Sequence, residues 1–239
     1  MRTFSDILGE FLEDMDTTIY VASVENTEDT TWRCTVGQNH WGKTTLHVRP
    51  DIVVTAPDEV EHTVTNFSHD DWFEIETETT PVVGLWTLPT LGYLPGTPKS
   101  VNAELSRQFE SSMPIIWLME IMQERVSYDS RKDATITPIA RLFFLDDADF
   151  SNWTNVEHLE EAVRPMRNYA DRMIKAMMYS DKFGDPVGQP IFINQARFGL
   201  SFNQPKMQDN FSHQTNIFGV KVSGVELRLE IPVRRKCYD

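Results

Sequence analysis

Along the first fifteen residues, Phe4, Ile7, Leu8, Phe11, Leu12 and Met15 recur at helical spacing with acids between them. This pattern predicts an amphipathic helix over 3–15, packed on a main core. From residue 19 the period shortens. Runs rich in Thr, Val and aromatics at 19–24, 31–36, 45–48, 52–55, 62–66, 72–76 and 82–88 are separated by Asn26, Asp29, Gly37, Gly42, Pro50, Pro57, Asp70 and Gly84. Short strands joined by turns produce that punctuation, so the stretch reads as a small β-barrel or β-sandwich. A Gly/Pro-rich link over 91–98 returns the chain to the main domain, and a helix is expected over 100–110. The continuous apolar run Pro114-Ile115-Ile116-Trp117-Leu118-Met119 predicts a strand covered on both faces, with 134–145 as its longer neighbour.

The strongest helix signal follows. Thr154 and Glu157 form a capping box, and Leu159, Val163, Met166, Ala170, Met173, Ile174 and Met177 then make one apolar stripe, which Pro165 should kink. The stripe reads as core, its methionines filling gaps beside Trp117 and Phe143 or Phe144. Strands over 191–202 and 220–233 close the domain, with a long polar loop at 203–218. The expected class is therefore α+β, a mixed sheet flanked by helices. Residues 1–17 and 97–239 form its core, and an inserted β domain spans 18–96.

Composition narrows what such a chain does. Its 239 residues, 40% hydrophobic, can bury one good core plus a smaller appended domain. No apolar run approaches the roughly 20 residues of a membrane helix, and the N-terminus lacks a signal-peptide pattern, which points to the cytoplasm as the place of synthesis. Formal net charge is −14. Residues 1–100 hold 5 Lys and Arg against 17 Asp and Glu, whereas 101–239 hold 17 against 19, so the excess lies in the N-terminal part. An acidic surface repels phosphate backbones and argues against a dedicated DNA-binding role, but an acidic channel wall lets DNA slide past. Cys34 and Cys237 match no zinc or redox spacing.

Candidate chemistry is sparse, and no cofactor or metal is expected. The six histidines form no ligand pair at helical spacing, and His69-Asp70-Asp71 and Asp146-Asp147-Ala148-Asp149 read as solvated loops. Gly37-Gln38-Asn39-His40-Trp41-Gly42-Lys43-Thr44 fits the P-loop pattern, with the strand ending at Asp146 as its potential partner. A P-loop must open a helix, however, and the following Thr45-Leu46-His47-Val48-Arg49-Pro50 reads as a strand stopped by proline. Two alternatives to a non-catalytic role stay open. One is a metal-dependent hydrolase using Asp146, Asp147 and Asp149 with His69 or His158. The other is a monomeric module binding a peptide or carbohydrate through Trp32, Trp41, Trp72 and Trp86, which otherwise serve as barrel core.

The run from Ser112-Met113-Pro114-Ile115-Ile116-Trp117-Leu118-Met119-Glu120, through Glu124-Arg125 and Leu142-Phe143-Phe144-Leu145, to Trp153-Thr154 and His158-Leu159-Glu160-Glu161-Ala162-Val163-Arg164-Pro165-Met166 resembles a family of bacteriophage neck and tail-completion proteins. Members occur in phages of Bacteroidetes hosts, including crAss-like phages. Gly96-Thr97-Pro98 and Asn102-Ala103-Glu104-Leu105 resemble the segment preceding the family's first core strand. The resemblance covers about 97–183 well, the C-terminal strands fairly and the β insertion only in outline.

It implies a tail-terminator-like sheet assembled into a ring in the virion neck or tail. The expected partners are further copies of the chain and adjacent neck, portal or tail proteins, with DNA only as transient cargo and no membrane. Ring closure needs a head-to-tail interface. Two features are expected to supply it. The 203–218 loop carries Met207, Phe211, Ile217 and Phe218 and is expected to order on a neighbour, and the inserted β domain is expected to project from the core and contact another neck or tail tier. Separately, Arg234, Arg235 and Lys236 read either as a solvated end or as a dock for an acidic patch of a neighbouring subunit.

Overall fold

A computed structural model describes residues 3–119, 123–128, 134–148, 152–198 and 220–234. The chain divides into two compact units, Asp16–Thr90 and Met1–Met15 with Leu91–Asp239.

In the first unit, β1 (Thr18–Glu28), β2 (Thr31–Val36), β3 (Val53–Thr55), β4 (Glu61–Ser68), β5 (Trp72–Glu76) and β6 (Gly84–Thr87) form a closed barrel in the order β1-β2-β5-β4-β3-β6. Every pairing is antiparallel, and Thr55 opposite Thr87 closes the circle. Alternation explains the interior. Ile19, Val21, Cys34, Val54, Val64, Phe73, Ile75 and Trp86 point inward and are buried. Trp86 stacks on His62 at 5.4 Å, meets Phe73 edge-on at 5.5 Å, and donates its indole N–H to the Val82 carbonyl at 2.8 Å.

The expected strand at 45–48 is absent. Leu46 takes a positive φ of 51°, the Val48 amide turns back to the Thr45 carbonyl, and the Thr45 amide bonds Asp70 Oδ1 at 3.3 Å. β-Branched composition favours a strand here, but local turn bonding overrides it.

The second unit is a mixed sheet with helices on it. β7 (Gly92–Gly96), β8 (Ile115–Met119), β10 (Ala134–Asp147), β11 (Ile191–Phe198) and β12 (Val222–Glu230) lie in the order β11-β12-β10-β8-β7, and β9 (Glu124–Tyr128) pairs with the first part of β10. The segment read as a link thus contains an edge strand. Pro95 and its flanking glycines masked the signal, but proline is tolerated at a sheet edge. β7 runs parallel to β8, a geometry that requires a crossover. Helix α2 (Pro98–Ser112) supplies it, starting two residues earlier than expected because Thr97 caps it through the Ser100 amide and Pro98 suits the first turn.

Both sheet faces are covered. Ile116, Leu118, Leu142, Phe144, Val225 and Leu227 share one core with α1 (Phe4–Glu13) and α4 (Arg164–Tyr179). Ile115, Trp117, Phe143 and Leu145 share another with Val101 and Leu105 of α2. Met166, Met173 and Met177 are fully buried in the first core, next to Phe144 and not to Trp117 or Phe143, which point to the opposite face. Strand alternation decides this, since neighbours along β10 face opposite ways.

The long helix begins as α3 (Asn155–His158), passes through a π-helical turn at Leu159–Val163 and continues as α4. The disturbance expected at Pro165 takes the form of this π turn, since proline has no amide to continue the α-helical ladder. Leu159, expected on the buried stripe, is consequently turned out and is 38% exposed.

Candidate functional site

The hydrolase alternative required acids and a histidine to converge where substrate could reach them. His69 lies in the barrel unit, while Asp146, Asp147 and His158 lie in the other; Asp149 is outside the described residues. Within the second unit a Ser–His pair does form. Ser223 of β12 stands in register with Asp146 of β10, and its Oγ bonds Nε2 of His158 at the end of α3. All three side chains are at most 3% exposed, however. A nucleophile needs an approach path. The arrangement therefore acts as a buried polar tie between the π-turned helix and the sheet, satisfying groups that would be costly to enclose unbonded. Sequence reading singled out His158 but missed Ser223, which nothing in the pattern of β12 marks out.

Asp146 and Asp147, expected in a solvated loop, instead end β10 on opposite faces, the first buried and the second exposed. Among the described residues no three His, Cys, Asp or Glu side chains gather as a metal-binding group.

The P-loop match lies in a tight turn. Asn39 and Gly42 bridge, Gly42 has a φ of +109°, and the residues after Thr44 form turns, not a helix. Trp41 donates its indole N–H to Asp16 at 2.8 Å, and Lys43 pairs with Asp71 at 2.5 Å. The lysine that would meet phosphate is held by a carboxylate, with no helix N-terminus behind it.

The tryptophans are structural to different degrees. Trp86 is fully buried, Trp32 is half-buried and packs against the barrel core, and Trp41 and Trp72 are half-buried, so the expectation of core holds in full for Trp86 and in part for Trp32. Trp32 bonds the Thr77 carbonyl at 3.2 Å, and Trp72 lies under the Arg33 guanidinium at 4.3 Å.

Charged groups on the sheet form a ladder. Glu226 accepts from Nε of Arg141 at 2.8 Å and of Arg228 at 2.6 Å. Burial alone raises its carboxyl pKa, but the hydrogen bonds and charges of the two arginines outweigh that and hold it below the usual range. In the barrel, burial pushes the His47 pKa down to about 3, so the imidazole is neutral and its Nε2 pairs with the Pro89 carbonyl at 3.0 Å. Cys34 is buried, and desolvation lifts its thiol to about 12, which makes it unreactive.

Of the residues expected at an interface, Met207, Phe211, Ile217, Phe218, Arg235 and Lys236 lie outside the described residues. Arg234 is exposed, yet it is also tied within its own chain: its amide donates to the Lys182 carbonyl and its Nε to the Phe183 carbonyl at 3.0 Å. Sequence reading missed another exposed set, Tyr20, Val82, Val83 and Leu85 on the barrel, each at least 37% exposed.

Fold and side chains together define an α+β protein, a closed six-stranded antiparallel barrel inserted in a mixed sheet with three helical segments. No family model, curated protein or solved structure matches the chain. Among the described residues, no helix is long and apolar enough to cross a membrane.

Proposed function

We propose that this protein is a non-catalytic structural subunit of a bacteriophage neck or tail-completion ring, a tail-terminator-like sheet carrying an inserted β domain. The resemblance over 97–183 motivates the reading. The observation that carries it is the uneven treatment of the sheet's edges. β7 is blunted by Pro95, which offers no amide, whereas β11 and β9 pair with no further strand among the described residues. Open edges are natural templates for another chain, and proteins that leave them open use them or aggregate.

Ile191, at the start of β11, is 59% exposed, and Val126, in the middle of β9, is 49% exposed. β11 also leads into the segment with Met207, Phe211, Ile217 and Phe218. Different edges on one subunit suit a heterologous interface, which closes into a ring. In this reading the partners are further copies of the chain and adjacent neck, portal or tail proteins. DNA passes as cargo.

Light scattering of the purified protein across concentrations, with and without phage neck or tail fractions, tests the proposal. A discrete ring-sized oligomer or incorporation into those fractions is expected. A 27.6 kDa monomer that ignores them overturns it. Removing 18–90 is expected to leave a folded sheet unit that no longer enters the virion; normal incorporation of that deletion variant removes the inserted domain from the proposal.

A further inference from the structure

The outside of the barrel is not uniform. Outward positions on β4 are Glu61, Thr63 and Thr65, and on β2 they include Arg33 and Thr35, as expected of a face that meets water. Along the β1–β6 seam the pattern breaks. Tyr20 stands directly opposite Leu85, 37% and 52% exposed, and Val82 and Val83, leading into β6, are 40% and 50% exposed. Two rings extend the patch over glycines. A Cβ added at Gly37 would lie 2.8 Å from the Tyr20 ring, and one added at Gly84 would lie 2.9 Å from Cγ of the exposed Pro57. Glycine at both positions lets the rings lie against the strands, so the patch is held in shape before anything binds.

Its surroundings are acidic. Asp58 and Glu59 follow Pro57 directly in an exposed turn, and the unit as a whole has 13 Asp and Glu against 3 Lys and Arg, a net of −10. An apolar centre with an acidic rim selects a segment that offers cations beside an apolar side chain. The chain itself has such a segment. Arg234, Arg235 and Lys236 are followed by Cys237 and Tyr238, a concentration of positive charge that stands out in a protein of net charge −14.

We propose that the β1–β6 patch, centred on Tyr20, Val83 and Leu85, receives the basic segment 235–238 of a second copy of this chain. The contact is heterologous, one copy giving the patch and the next the segment, so it propagates around a ring. The inference rests on the assembly reading above and names one of its contacts.

Three full-length proteins test it: the unmodified chain, a patch variant with Val83→Asp and Leu85→Asp, and a segment variant with Arg235→Glu and Lys236→Glu. Val83 and Leu85 are 50% and 52% exposed and lie outside the buried barrel core, and thermal melting checks that each variant folds. Sedimentation is expected to show self-association weakened at least about tenfold in either variant. An equimolar mixture of the two variants is expected to recover pairing, because each supplies the surface the other lacks.

Normal association of both variants overturns the inference and leaves the assembly reading standing. So does a patch variant that self-associates normally but fails to enter neck fractions, since the occupant is then another protein. A chain that stays monomeric under every condition, including with neck or tail fractions present, overturns the inference and the assembly reading together.

Discussion

The barrel and the mixed sheet solve the same problem differently. Both are built from strands with alternating inward positions, but the barrel closes on itself through Thr55 and Thr87, whereas the sheet buries both faces under helices and still ends in strands. Closure removes edges altogether, while layering only covers faces. The barrel therefore has to present any contact surface on side chains, as its β1–β6 seam does. The sheet has backbone to offer as well. Charge follows the same division: the barrel unit, with fewer than a third of the residues, carries −10 of the −14 total.

If the two units hold themselves together separately, damage to one core should leave the other's melting transition in place. Trp86→Ala removes the largest side chain from the barrel core and is expected to cost about 4 kcal/mol. Calorimetry should show the barrel transition lowered and the sheet transition unmoved; a concerted shift of both breaks the comparison. Gly224→Ala is the reciprocal change. Its added Cβ would lie 1.9 Å from the Phe144 carbonyl oxygen, so strand β12 must shift, at an expected cost of about 3 kcal/mol to the sheet unit alone.

A smaller effect probes the buried tie. Ser223→Ala takes from His158 one hydrogen-bond partner in a fully enclosed site and should destabilise the sheet unit by about 2 kcal/mol in denaturant unfolding. Because the site is closed, no activity should change with it.

Near neutral pH the smallest effect is that of pH itself, which grows only as the medium is acidified. His47 has a folded pKa of about 3 against 6.5 for the free side chain, so between those values the unfolded chain binds a proton that the folded barrel refuses. Barrel stability is then fully present above about pH 6.5 and falls as pH drops towards 3, by up to about 1.4 kcal/mol per pH unit. His47→Gln, which keeps a donor for Pro89, should flatten that slope. An unchanged slope assigns the pH dependence to other groups.

Elements carried by local rules were legible before any coordinates. The capping box read at Thr154 is formed, with Glu157 as the returning acid. The uninterrupted apolar run of β8 was read correctly as a strand buried on both sides, and the acidic stretch, 45–48 apart, as short strands and turns. Helical period placed the α4 methionines in a core because repeat spacing alone selects the buried face.

Other features depend on residues far apart in sequence. β7 is a strand because β8 lies beside it across the α2 crossover, although Gly92, Pro95 and Gly96 argue locally for a loop. The segment 45–48 is a turn because Asp70, 25 residues on, takes the Thr45 amide. Ser223 meets His158, and Leu85 stands beside Tyr20, only once register is set. Sequence by itself determined the periods, the caps and the distribution of charge, all of which act within a few residues. Tertiary structure alone decided the barrel's closure, the buried tie and the exposed seam, because each requires distant strands to be brought into one register, and that register depends on which faces the whole chain can bury.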